Sequence, residues 1–400
     1  MKIENFTTEN TGGRAKVFAT VKWEDCDRPD QVISFETDAE FSAALSCNPH
    51  AFLVGGIMPA LHNGEKRVFV DAAVCPELID GILTAMAWIR HWWYSPETAL
   101  PTIETKSAYT PSALPMPKRA GLFFSGGIDS LATLRHNRLH YPMEHPNSIR
   151  DGLLVYGLEV SDPTAFELVK NSMAEIARDA SVTLIPVYTN LRDLNDDWIF
   201  WGHSFQGAVF SAIAHAVSTR CDTVTISSSH CVCSTHPYGT HPLIDPNFSS
   251  SDLQIKHFGC RLSRMDKTKL VADWDVALKN LRVCNKFNLY QPNQLNCGQC
   301  EKCLLTMTCF LAIGADYRRA GFAHHDVSAE QLKKVIRINT DVEHYYEELI
   351  RPLEEKGYHD LAGVIKLKLE NYRKSPGGPN YFNRLKRIPM VRMLFTQILK

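Results

Sequence analysis

The chain has 400 residues, with 43 Lys+Arg against 44 Asp+Glu (formal net charge −1) and 44% hydrophobic residues. That length suits two domains, and that apolar share builds a sizeable core without disulfides. The charge balance excludes a uniformly basic nucleic-acid coat and a disordered polyampholyte, and no apolar run is long enough to span a membrane.

The opening MKIENFTTENTGG lacks an apolar signal core, so a cytoplasmic protein is expected. Residues 1–95 read as an N-terminal α+β domain. In RAKVFATVKW, Val17, Ala19, Val21 and Trp23 share one face, and Lys16, Thr20 and Lys22 the other. QVISF, FLVGG and KRVFVDA read as further strands. A helix follows from Pro76, with Leu78, Ile79, Ile82, Leu83, Met86, Ile89 and Trp93 at helical spacing. Trp88, Trp92, Trp93 and Tyr94 suit a base-stacking platform or, more economically, a helix packed on a sheet. Between 96 and 118, Pro96, Pro101, Pro111, Pro115 and Pro117 mark a linker.

From 119 to 315 the pattern becomes strand, turn, helix, repeated. AGLFF, GLLVYGL, VTLIPVY and DTVTIS are continuous apolar runs, as in parallel strands covered on both faces. Helical segments fall near 129–140, 163–180 and 205–219. This predicts an α/β doubly wound parallel sheet, with ligands beyond the carboxyl ends of its strands. Residues 316–400 read as a helical, basic C-terminal region broken at SPGGP (375–379). After position 360, Lys366, Lys368, Arg373, Lys374, Arg384, Lys386, Arg387, Arg392 and Lys400 face one acid, Glu370. Such a tail suits nucleic acid, an acidic partner or a solvated surface equally.

Two motifs carry chemistry. SGGIDS (Ser125, Gly126, Gly127, Ile128, Asp129, Ser130) joins the first α/β strand to a helix. Its backbone N–H groups and the helix dipole suit a polyphosphate, the two serines add hydroxyls, and Asp129 suits a helix cap or Mg²⁺. Without a GKS it is not a Walker A loop. Further on, Cys297, Cys300 and Cys303 lie three apart, and Cys284 precedes them by a loop that can fold back. Twelve cysteines without a secretion signal favour metal or thiol chemistry over disulfides. Four thiolates close a tetrahedral structural zinc site, with Lys286 and Lys302 lowering the thiols. Redox thiols, an iron–sulfur cluster or a merely Cys-rich helix are the alternatives. Cys26, Cys47, Cys75, Cys221 and Cys260 read as small buried hydrophobes, and Cys309 as core. His230, Cys231, Cys233, His236 and His241 follow a strand end. They read as a substrate-pocket loop, as a second metal site of no standard spacing, or as neither, with Ser229 and His230 best placed to touch a ligand.

SGGIDS after an apolar strand resembles the PP-loop of ATP pyrophosphatases of the adenine nucleotide α-hydrolase-like superfamily. With the later C…NCGQCEKC, residues 118 to about 314 resemble the 7-cyano-7-deazaguanine synthase family. The resemblance implies ATP with Mg²⁺, a structural Zn²⁺, and a deazaguanine carboxylate adenylated with release of pyrophosphate before an amine displaces AMP. Lys267 in RMDKTKLV matches a family lysine and is assigned to the ATP phosphates. The sequence departs from the family pattern at Tyr156-Gly157-Leu158-Glu159-Val160, at Gly202-His203-Ser204 and at His241–Phe248, where only the prolines and Phe248 persist. These departures imply a rewritten substrate pocket. The added N-terminal domain and basic tail resemble synthase-like components of anti-phage operons, of type IV CBASS or Qat type, which implies a protein amine as acceptor and operon partners. Ammonia as acceptor in queuosine-precursor synthesis, a PP-loop tRNA sulfur transferase, a non-catalytic nucleotide-sensing subunit and a homodimer stay open.

Overall fold

The structure, a computed structural model, describes residues 1–107 and 119–375. Ten strands form one sheet: β1 Lys2–Thr11, β2 Arg14–Lys22, β3 Gln31–Asp38, β4 Arg67–Ala73, β5 Thr102–Ser107, β6 Ala120–Phe123, β7 Ile149–Tyr156, β8 Thr183–Thr189, β9 Thr223–Ser227 and β10 Gln254–Phe258. Their order is β10-β9-β6-β7-β8-β3-β2-β1-β4-β5. Pairing is parallel from β10 to β8, antiparallel from β8 through β1, and parallel again at β1–β4–β5. This is a Rossmann-like α/β fold with a mostly parallel sheet.

The boundary expected near residue 96 does not interrupt the sheet. Phe35 pairs with Thr189 and Thr37 with Val187. Thr37 Oγ1 donates to the Pro186 carbonyl at 2.7 Å, Thr189 Oγ1 to Ser34 O at 2.9 Å, and Asn190 Nδ2 to Val32 O at 2.8 Å. Residues 1–95 and one face of the α/β strands bury their apolar side chains in one core. The expected linker is itself partly strand, since β5 pairs along β4; Pro111, Pro115 and Pro117 lie outside the described residues.

FLVGG is helical, contrary to the strand expectation. It lies in α1, Pro49–His62, which the Asn48 side chain caps by accepting from His50 N at 3.0 Å. Its residues 50–61 are all buried, so a short apolar run gave no period to separate strand from helix. A Cβ on Gly55 would meet Leu191 Cδ2 at 2.7 Å and Ala212 Cβ at 3.5 Å; the glycine is what lets α1 lie so close to its neighbours. Helix α2, Pro76–Trp93, packs Leu78, Ile82, Ala85, Met86 and Ile89 into the core. Its aromatic end is engaged: Trp92 meets His241 edge-on at 4.9 Å and Trp93 stacks on His203 at 3.7 Å.

The α/β helices fall near the expected positions: α3 Ile128–His140, α4 Pro163–Asp179 and α5 Gln206–Ala216, the last entered through a π-helical turn, Trp201–Phe205. Beyond them come α6 Arg264–Ala272, α7 Glu301–Ile313, α8 Glu343–Glu347 and α9 His359–Lys374. In α9, Lys366 pairs with Glu354, Arg373 with Glu343 and Glu347, and Lys374 with Glu370. The described part of the basic region thus spends most of its charge within the fold. The SPGGP break beyond Ser375 and the basic residues from Arg384 on lie outside the described residues. No helix among the described residues is long and apolar enough to cross a membrane.

Candidate functional site

At β6 the sheet order reverses, with β7 on one side and β9 on the other. Loops leaving neighbouring strands there diverge to opposite faces, which opens a crevice at their carboxyl ends. SGGIDS occupies it. Gly126 has φ +79°, where a Cβ would also meet Met173 Cε at 2.6 Å, so glycine is required on both counts. Gly127 then serves as N-cap of α3, with no side chain covering the first-turn N–H groups. Ser130 Oγ turns back to Gly127 O at 3.1 Å and lies 3.3 Å from Ser125 Oγ.

A cavity of about 420 Å³ opens on this loop, lined by Ser125, Gly127, Ile128, Asp129 and Ser130. Phe123, Leu153, Val155, Phe166 and Ile226 make its apolar wall. Ser229, His230, Tyr238, Asp341 and Tyr345 line it as well. Its basic side chains are Arg264, Arg282 and Lys302, and its further acid is Glu159.

Asp129 does not cap α3. Its Oδ2 accepts from Arg264 Nη1 at 3.0 Å and its Oδ1 from Lys267 Nζ at 3.1 Å. A capping box, Ser263 with Asp266, starts α6 so that Arg264 and Lys267 stand one turn apart on the face toward Asp129. Burial opposes ionisation of Asp129, but these two cations more than offset it and hold the carboxyl below its usual range. Lys267 is 2% exposed and also donates to the carbonyls of Ser228 and Ser229. It sits behind Asp129 rather than among the lining residues, where Arg264 stands instead. Arg282 holds the other side of the loop: its N–H donates to Gly126 O at 2.9 Å and its Nη1 to Ser125 O at 3.3 Å. Arg282 Nη2 and Arg264 Nε are buried and lack a hydrogen-bond partner among the described residues. Burial also works against Glu159, yet Lys302 and Arg282 hold it ionised. Lys302 thus stands in the cavity lining beside Glu159.

At the remaining end, His230 lies parallel to Tyr345, ring centres 5.8 Å apart. Burial, then His236 and His344, lower His230 to about 3, so its imidazole is neutral. His236 Nε2 meets Asp341 Oδ1 at 2.9 Å, which raises it. Cys231 and Cys233 are joined as a disulfide, an exception to the expected free thiols. His241 turns away from the cavity to Thr235, 3.0 Å distant. Among the described residues no second group of three or more metal-ligating side chains converges, in this segment or elsewhere.

The four knuckle cysteines do converge. All four sulfurs lie within 4.8 Å of one another, with Cys300–Cys303 at 3.4 Å, Cys300–Cys284 at 3.7 Å and Cys297–Cys303 at 4.0 Å. Ligands about 2.3 Å from a tetrahedral zinc stand about 3.8 Å apart, so the set fits. Gly298, at φ +72°, makes the turn; a Cβ there would meet His324 O at 2.1 Å. Lys286 N and Cys300 N each donate to a cluster sulfur at 3.3 Å. Hydrogen bonds from Cys300 and Cys303 lower Cys284 strongly, and its thiolate pushes Cys300 up to about 12 and raises Cys303 also. A divalent cation removes that competition for protons. The cluster can bind a metal such as zinc. Cys309 is buried in α7.

No protein-family model, curated protein or solved structure matches the chain.

Proposed function

We propose that the chain is an ATP-dependent, AMP- and pyrophosphate-forming synthase or ligase that activates a 7-deazaguanine carboxylate for transfer to an amine. One observation carries this reading: the SGGIDS turn, its uncapped helix N-terminus and the guanidinium groups of Arg264 and Arg282 surround one end of one cavity. That end suits a triphosphate. The apolar wall suits a purine. The neutral His230 ring stacked on Tyr345, with Ser229 and Tyr238 beside it, suits a second flat heterocycle.

In the first step a substrate carboxylate oxygen attacks the α-phosphorus and pyrophosphate leaves. In the second an amine nitrogen attacks the acyl carbon, AMP leaves, and the nitrogen loses a proton. Arg264, Arg282 and the loop N–H groups neutralise charge on the departing phosphates and hold the reactants in line. Each carboxylate oxygen of Asp129 accepts one hydrogen bond from a cation, and no step is assigned to a metal there. Cys284, Cys297, Cys300 and Cys303 would hold zinc, which with four protein ligands would serve structure rather than chemistry. The sulfur-transferase alternative would use reactive cysteines and the basic tail, and the four knuckle thiols here face one another. The acceptor favoured is a protein amine, in keeping with the resemblance to anti-phage operon components.

The test is ATP–pyrophosphate exchange with 7-carboxy-7-deazaguanine. Exchange that falls at least about 100-fold in Asp129→Ala, a loss of about 2.7 kcal/mol of transition-state stabilisation, is expected. Absence of exchange, or exchange indifferent to that substitution, overturns the reading. Intact-mass measurement of co-expressed partner proteins then separates a protein acceptor from ammonia.

A further inference from the structure

Three carboxylates line the cavity, and they differ in what they have left to bind. Asp129 has given one oxygen to Arg264 and the other to Lys267. Glu159 lies 3.8 Å from Arg282 Nη2, at the phosphate-loop end, with Lys302 adding its charge. Asp341 makes no ion pair with Lys or Arg among the described residues. Its Oδ1 accepts from His236 Nε2 at 2.9 Å, and no hydrogen bond reaches its Oδ2 among the described residues. The side chain is 50% exposed and so open to a ligand.

The position of this carboxylate is built rather than incidental. His236 Nδ1 meets the Ser234 carbonyl at 3.2 Å, so each nitrogen of the ring donates to an acceptor and the ring is fixed. Asn339 Oδ1 accepts from Asp341 N at 3.0 Å and Val342 N at 3.1 Å, a side-chain turn that leads into α8. Four residues on from Asp341, Tyr345 Oη donates to Ser229 O at 2.8 Å, and its ring lies parallel to His230. One short segment therefore supplies both a flat aromatic surface and an unspent carboxylate. It lies beyond residues 118–314, so the C-terminal region of this chain completes the far end of the cavity.

We propose that Asp341 reads the Watson–Crick edge of a guanine-type ring, accepting from its N1–H and its 2-amino group, with His236 as the positioning residue that holds the carboxylate. The assignment rests on the deazaguanine reading and adds the contact that selects guanine over other purines. An ionised carboxylate only accepts, and Oδ1 keeps a lone pair beyond the one that His236 uses. A guanine edge offers it two donors side by side. A hypoxanthine edge offers one, and a xanthine edge sets a carbonyl against it.

The test compares three carboxylates in ATP–pyrophosphate exchange: 7-carboxy-7-deazaguanine, its 2-desamino (hypoxanthine-type) analogue and its xanthine-type analogue. The wild-type protein should favour the guanine type at least about 100-fold in kcat/KM. Asp341→Asn should lose at least about tenfold on the guanine type and keep its KM for ATP. It should also gain on the xanthine type, whose 2-carbonyl can accept from the new amide. His236→Ala should lower the guanine preference, and His236→Gln, which keeps a donor, should restore it. A wild-type ratio near one overturns the proposal without any variant. So does Asp341→Asn that exchanges as wild type and fails only in amine transfer, or that loses all three substrates alike. No exchange with any of the three overturns the deazaguanine reading itself, and the proposal with it.

Discussion

The backbone N–H of Arg282 donates to the carbonyl of Gly126, and two residues later Cys284 enters the four-sulfur cluster. Between them, the Asn296 side chain accepts from Val283 N at 2.8 Å and Cys284 N at 3.2 Å. The cluster is thus clamped to the phosphate loop through one short segment. Purified protein should carry about one zinc per chain by elemental analysis. Stripping it with a chelator under mild denaturation should abolish ATP binding together with cooperative melting. A metal-free preparation that binds ATP normally would contradict this coupling.

Gly126 tests the loop itself. Gly126→Ala puts a Cβ at positive φ and against Met173. The expected cost is about 1–3 kcal/mol in urea unfolding, with ATP binding lost by calorimetry. Gly298→Ala meets a backbone oxygen, which cannot swing away as the Met173 side chain can. It should lower soluble yield and zinc content more severely.

Lys267 and Arg264 share Asp129 but differ in exposure, at 2% and 13% of their side chains. Lys267→Met removes a buried cation that also holds two carbonyls, and should destabilise by on the order of 3 kcal/mol. Arg264→Met should leave the melting temperature closer to wild type while weakening ATP binding at least about tenfold. The reverse pattern would reassign the two roles.

His50 and His215 make the fold acid-sensitive. Both are buried, and His215 Nε2 lies 2.8 Å from Phe248 O. Burial lowers His50 to about 4 and His215 to about 3. A histidine lowered on folding contributes stability above its unfolded value, near 6.5, and loses it as pH falls toward the folded value. Urea midpoints should therefore drop between pH 6.5 and 4, with a slope of up to about 1.4 kcal/mol per pH unit for each ring. A midpoint constant over that interval would refute it.

How much of this was legible follows from how the residues are spread along the chain. SGGIDS and CGQCEKC are local, so spacing alone brought their side chains together. Arg264, Arg282, Lys302, Asp341 and Tyr345 come from separate loops and helices, and only the sheet's order reversal collects them at one cavity. Lys267 was assigned to phosphate from its place in a motif, but the helical register puts Arg264 at the lining. FLVGG read as a strand because a fully buried run shows neither period.

The seam between β3 and β8 has a consequence for modularity. The α/β half does not end where its parallel strands end; its last strand is completed by the N-terminal unit, where Ser34 N donates to Asn190 Oδ1 and Ser34 O accepts from Thr189 Oγ1 across the join. Cutting there would leave a raw β8 edge, which invites pairing with any passing strand. The two parts share one continuous sheet, so each is poorly suited to stand or be exchanged as an independent module.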